Sequence, residues 1–280
     1  SKRPAGPNQG PPDLDELWQD FNRKLSGLFG GGGAGGGKPG GGLPGFKPGP
    51  RGTGIGVGVI AGGLLLLSGC DIEYGTLPEH YYDFRQGAHQ WQPGFSDYPS
   101  DNADIYQLQS GMRDLPAGFS GKGLYLAGMN RSDDLFMYIK KQITGLEPST
   151  RYQLSASLRF LTDAGADCVG IGGAPGESVY LKFGYAAAEP KQAGYYLNAD
   201  KGNQSQDGSQ GRVIGNIAAT ELGCDGQRFA SKSVSGGGAS ALQFTSNADG
   251  SIWVFVGTDS GFEGLTRLYY QQLQLYITRL

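Results

Sequence analysis

Histidine and cysteine are nearly missing, with two of the first and three of the second in 280 residues. His80 and His89 are too few, and Cys70, Cys168 and Cys224 too scattered, to make a Cys/His zinc site. Clusters of basic residues are missing as well. From Cys70 onward 16 basic residues face 22 acidic ones, and without concentrated Lys and Arg there is no surface for phosphate backbones, which excludes nucleic acid as a partner. The stretch "GIGGAPGESVYLK" from Gly170 has the glycines of a phosphate loop. It lacks the closing Gly-Lys-Ser/Thr and runs into strand-like sequence, so nucleotide binding is excluded too. Beyond Cys70 no segment carries the apolar periodicity of an amphipathic helix.

Glycine, by contrast, is abundant and unevenly spread. Residues 30–54 hold 14 of the 51 glycines, too little apolar surface to offset the entropy of ordering the chain, so this stretch reads as a linker. Ahead of it, "GPPDLDELWQDFNRKLSGLFGGGG" places Leu14, Leu17, Trp18, Phe21, Leu25 and Leu28 at helical spacing. Acidic residues in the first turn and Arg23 and Lys24 near the end suit the helix dipole, which predicts a short amphipathic helix over 13–28. Residues 1–53 are thus expected to be a disordered tail of cytoplasmic type around that helix.

Gly52 to Cys70 is nineteen residues without a charge, roughly 28 Å as a helix, which nearly matches a bilayer core. Seven of the nineteen are glycine, so residues 54–69 serve either as a marginal span or as a signal segment with its apolar strength in Ile60 and Leu64–Leu67. Lys38, Lys47 and Arg51 precede the run while Asp71 and Glu73 follow it, and by the positive-inside rule residues 71–280 lie outside the cytoplasm in either case. Leu67, Ser68, Gly69 and Cys70 read as a lipobox, with Cys70 the lipidated residue. In an oxidising compartment Cys168 and Cys224 are then the candidate disulfide.

After Cys70 the pattern changes to alternation. "YQLSASLRF" sets Tyr152, Leu154, Ala156, Leu158 and Phe160 on one face and polar residues on the other, and "VYLKFGY", "ALQFT", "SIWVFVG" and "LQLYIT" repeat the pattern between Gly, Asn and Asp turns. That predicts an all-β, antiparallel sandwich over 70–280. Four polar-rich stretches interrupt it: "NRSDDLFM", "GIGGAPGESVYLKFG", "DKGNQSQ" and "GTDSGFEG". From them Asn130, Asp133, Asp134, Glu177, Lys182, Asp259 and Glu263 are candidates for a polar ligand pocket or a Ca²⁺ site, and two of the carboxylates for acid and base on a glycosidic bond. The same residue types also end strands and cap turns. Trp91, Phe95 and Tyr98 in "HQWQPGFSDYP" are a candidate aromatic platform for sugars, or else pin a loop to the core.

Two resemblances accompany these residues. "QGPPDLDELWQDFNRKLSGLFGGG", the Gly/Pro linker and "GTGIGVGVIAGGLLLL", together residues 6–67, resemble the N-terminal tail and membrane segment of the bacterial HflK family, of the stomatin/prohibitin group. The band-7 domain of that family does not follow. The resemblance implies a membrane setting and, for the tail, protease modulation, either as a fragment or as a fusion joined within the apolar run. Residues 64–280 resemble an uncharacterised bacterial lipoprotein family. Within them "GLEPSTRYQLSASL" and "LYYQQLQLYITRL" are similar to strands of jelly-roll carbohydrate-binding modules and galactose-binding-like domains, which implies a glycan or an envelope protein as partner. The reading that unites these is a membrane-anchored envelope lipoprotein with a non-catalytic binding sandwich. A single-span protein and a carboxylate-dependent glycan hydrolase are its alternatives.

Overall fold

The computed structural model describes residues 80–280; the expected helix at 13–28, the apolar run and the lipobox at Leu67, Ser68, Gly69 and Cys70 lie outside the described residues. Among the described residues fourteen strands make up nearly all the regular structure. They are β1 His80–Asp83, β2 Gln92–Ser96, β3 Gln109–Asp114, β4 Lys122–Met129, β5 Leu135–Ile143, β6 Arg151–Thr162 and β7 Val179–Ala186. The second half of the chain adds β8 Gln192–Ala193, β9 Tyr196–Leu197, β10 Gly211–Asn216, β11 Ala230–Gly236, β12 Leu242–Thr245, β13 Ile252–Ser260 and β14 Leu265–Arg279.

The strands form an antiparallel sandwich, as the alternation predicts, and it is jelly-roll-like, as the resemblance implies. One sheet has the order β11-β6-β14-β4-β3, with β1 added along β14 and β12 along β6; the other runs β10-β7-β13-β5-β2. β14 is long enough to pair with β6 along most of its length while taking β4 on its first half and β1 on its second. The pairing with β6 shifts register between Tyr270 and Gln272, an extra residue that bends the strand around the core.

Side chains alternate across each strand, so one face of each sheet fills the space between them. Tyr152, Leu154, Ala156, Leu158 and Phe160 of β6 meet Leu181 and Phe183 of β7 and Val254 and Val256 of β13 in one core. Along β6 the outer face of the larger sheet is polar from Gln153 through Ser155 and Ser157 to Arg159. The outer face of the five-stranded sheet is not. There Phe136, Tyr138, Ala186 and Phe255 form a second buried cluster under Leu197 and Ala199, which belong to the connection between β7 and β10. This connection, residues 187–210, is a strap across the sheet. Because both its faces are covered, β5 reads "LFMYIK" with every residue buried, the continuous pattern of a strand covered on two sides.

Two glycines let the aromatic rings lie flat on this face. A Cβ on Gly184 would stand 2.2 Å from the Phe255 ring, and one on Gly94 would stand 2.4 Å from the ring of Tyr138. Phe136 then stacks on Tyr138 at 5.1 Å and meets Phe255 edge-on at 6.0 Å.

Only the second half of "GTDSGFEG", residues 261–264, is a connection between strands. β13 continues through Ser260, because its last residues still pair with β5 and β7 on either side. That carries Asp259 into the sheet interior.

Candidate functional site

Alternation along β13 and β7 puts Asp259 and Lys182 on the strapped face as diagonal neighbours, since Gly257 is the register partner of Lys182 and Tyr180 that of Asp259. Both side chains are fully buried, with Nζ of Lys182 2.9 Å from Oδ2 of Asp259. Lys201 of the strap reaches the same oxygen at 2.8 Å and lies 3.4 Å from Oδ1 of Asp97. The backbone N–H of Gln204 donates to Oδ2 of Asp259 at 2.8 Å. Lys182 also donates to the carbonyls of Lys201 and Gln206, at 3.1 and 3.0 Å. Asp97, at the left-handed φ of 65° that Asp tolerates better than most residues, accepts from Ser96 Oγ at 2.6 Å. The strap is tied at its other end by Lys140, which donates to Glu189 and to the Pro190 carbonyl at 2.7 Å each.

The electrostatics follow from burial. Desolvation penalises a charged group, so Lys182 is held below the usual lysine range and Asp97 above the usual carboxylate range. Burial also opposes the Lys201 ammonium, but Asp259 and Asp97 outweigh it and raise its pKa. Asp134, at the edge of this network, is pushed up to about 7 by burial, with Asp259 and Asp97 adding to the rise against the pull of Lys201. Its Oδ1 and that of Asp259 are buried with no hydrogen-bond partner.

Beside the network a cleft of about 410 Å³ opens between Ser132, Asp133, Asp134, Tyr195, Tyr196, Asn203 and Gln204. Tyr196 is 62% exposed and stands nearly perpendicular to Tyr195, ring centres 4.8 Å apart. Gln204 Nε2 donates to the Asp133 carbonyl at 2.7 Å, closing the far wall. A smaller cavity of about 180 Å³ continues behind Tyr196 toward Asp97 and Lys201. An exposed aromatic face beside acids and amides offers both stacking and directional hydrogen bonds to a polar ring.

The seven polar candidates are not one site. Asp134, Lys182 and Asp259 come together around Lys201. Asp133 stands apart from them, its pKa raised by burial and then by the like charge of Glu263. Asn130 is buried and pins the loops, donating to the carbonyls of Ser260 and Phe262 at 2.8 and 2.9 Å. Glu177 lies in the 163–178 loop, accepting from the Asp167 N–H at 2.8 Å. Among the described residues no group of three or more His, Cys, Asp or Glu side chains is placed to hold a metal ion. The Ca²⁺ set is therefore not assembled, and lysine ammonium groups occupy the positions around Asp259 that a cation would need.

The aromatic trio is not an open platform either. Trp91 is 2% exposed and meets Tyr82 edge-on at 5.4 Å, while Phe95 and Tyr98 pack against the core. Their rings hold the chain around β2 onto the sandwich, and the ring exposed beside the cleft is Tyr196 instead. Cys168 and Cys224 are joined by a disulfide at the side of a second cleft of about 340 Å³. Sequence reasoning missed Lys201, Asp97, Tyr195 and Tyr196. For Lys201 the only signal was its place in "DKGNQSQ", one of the polar stretches already singled out.

Comparison with known proteins agrees with the resemblance of the tail. A family model described as a bacterial membrane protein N terminal, HflK_N, matches residues 4–32, so it covers the expected helix and stops before the apolar run. No curated protein matches the chain. Among solved structures the chain is similar to TmCBM61 in complex with β-1,4-galactotriose, at 8% identity, covering 71% of this chain and 94% of that one, TM-score 0.32. It is also similar to the CBM22-1 xylan-binding domain of Paenibacillus barcinonensis Xyn10C, at 12% identity, 71% and 94% coverage, TM-score 0.32. A third is the K1 cleaved adhesin domain of Lys-gingipain from Porphyromonas gingivalis W83, at 12% identity, 70% and 96% coverage, TM-score 0.33. At such identities none of them transfers a ligand to this chain.

Proposed function

We propose that the chain is a membrane-anchored lipoprotein of the bacterial cell envelope, displaying residues 71–280 outside the cytoplasm as a non-catalytic glycan-binding sandwich. The observation that carries the binding reading is the open cleft in which the exposed Tyr196 faces Asp133, Asp134, Asn203 and Gln204. An aromatic face takes the apolar side of a sugar ring while carboxylates and amides take its hydroxyls. The Leu-Ser-Gly-Cys sequence at 67–70 supports lipidation of Cys70, and the match at residues 4–32 to a membrane protein's N terminus supports a membrane setting for the tail.

A glycan array followed by calorimetry on the full chain extracted from membranes tests the binding. Retention of a glycan is expected, with Tyr196→Ala weakening it about tenfold, the worth of one aromatic contact. Equal affinity in the variant would remove Tyr196 from the site. Intact-mass measurement tests the anchor: the expected mature chain begins at an acylated Cys70. A full-length, unlipidated chain in membranes would replace this with the single-span reading, in which an HflK-like tail stays cytoplasmic as a protease-modulator element or fusion.

One observation favours a glycan hydrolase as a second reading. Asp134, raised to about 7, is a carboxylic acid half protonated near neutrality, the state required of a general acid. Release of reducing ends from a bound glycan, lost in Asp134→Asn, would establish it.

A further inference from the structure

We infer that Lys182 and Asp259 are the partners of an intramolecular amide cross-link, formed from a buried amine and a buried carboxyl on adjacent strands of the five-stranded sheet. The two atoms in contact, Nζ and Oδ2, are 2.9 Å apart with both side chains shielded entirely from solvent. They are held there by rigid elements: β7 and β13 pair continuously through this region, and the strap closes over the pair. Fixed proximity of this kind raises the effective concentration of two reacting groups by many orders of magnitude.

The hydrogen bonds around each group suit the reaction. Two N–H bonds of Lys182 are taken by the carbonyls of Lys201 and Gln206. In the neutral amine, which burial favours, this leaves the lone pair for Asp259. Oδ2 of Asp259 receives the Lys201 ammonium and the Gln204 N–H, two fixed donors placed to hold negative charge on that oxygen during addition. Oδ1 has no donor, which marks it as the oxygen that leaves.

The step balances without a co-reactant. A proton passes from the Lys182 ammonium to Oδ1 of Asp259, and Nζ then bonds to Cγ. The Cγ–Oδ1 bond breaks, and the hydroxyl leaves with one more nitrogen proton as water. No electrons are gained or lost. The product exchanges a buried ion pair, with its desolvation penalty, for a neutral amide, and the expelled water has little room to return.

Peptide mass spectrometry of the reduced, trypsin-digested full chain is decisive. The expected result is no cleavage after Lys182, with residues 160–191 and 233–267 emerging as one branched peptide that lacks one water. Asp259→Asn is expected to yield the same branched peptide, now by loss of ammonia, and Asp259→Ala three separate linear peptides, 160–182, 183–191 and 233–267, with cleavage after Lys182. Linear peptides of full mass from the folded wild-type protein would overturn the inference. So would a missing water that persists in Asp259→Ala, since the loss would then belong to another residue.

Discussion

Replacing Asp134 by Asn should stabilise the domain at alkaline pH and leave it unchanged in acid. Asp134 rises from 3.8 when exposed to about 7 in the fold, chiefly through desolvation by burial. Between those two values the folded chain holds a proton that the unfolded chain has released, so stability falls as pH climbs through the window and the loss is complete above 7. A tenfold change in acidity is worth about 1.4 kcal/mol, which bounds the loss at about 4 kcal/mol; solvent screening of a half-buried group reduces it to about 2. Asparagine keeps the shape and carries no charge at any pH. In urea titrations the variant should match the wild type at pH 4 and exceed it by about 2 kcal/mol at pH 8. A variant less stable than the wild type at pH 8 would mean that the ionised carboxylate is compensated by Lys201, and would refute the assignment of burial as the dominant cause.

Phe255→Ala removes a fully buried ring from the strapped face and should cost about 3–5 kcal/mol, read as a lower midpoint in calorimetry. A loss below 1 kcal/mol would show that the strap does not depend on that ring. Gly184→Ala places a methyl against the Phe255 ring and the Gln210 carbonyl, both within 2.4 Å, and should cost about 1–3 kcal/mol by overpacking, whereas the same change at exposed Gly223 should be nearly silent in the same measurement. Cys168→Ser opens a bridge between residues 56 apart and should lower stability by about 4 kcal/mol on the loop-closure account. Reducing agent should do the same to the wild type and nothing further to the variant.

The all-β architecture was legible because β6, β12 and most of β14 border solvent on one face, and that asymmetry writes a period of two into the sequence. β5 and the end of β13 were harder. Covered on both faces, they lose the alternation, and the polar letters of "GTDS" looked like a turn although their backbone is paired on both sides. Lys182, Asp134 and Asp259 were chosen for their chemistry, and the structure brings them together. Lys201 and Asp97 could not be joined to them beforehand, because their position depends on how a strap with only two short strands of its own crosses a sheet. For Trp91 the sequence leaves display and pinning of a loop to the core both open, and three-dimensional packing against Tyr82 decides for pinning.

The order of strands within each sheet has a consequence for how the domain comes into being. β13 is the middle strand of one sheet and β14 of the other, and every partner of either precedes it in the chain. A chain delivered from its N-terminus therefore reaches residue 250 with both sheets split down the centre, their halves unable to zip. Assembly waits for the last thirty residues and then proceeds everywhere together. Under any passage through a narrow channel, this strand order would keep the two sheets open until residues 252–279 had emerged.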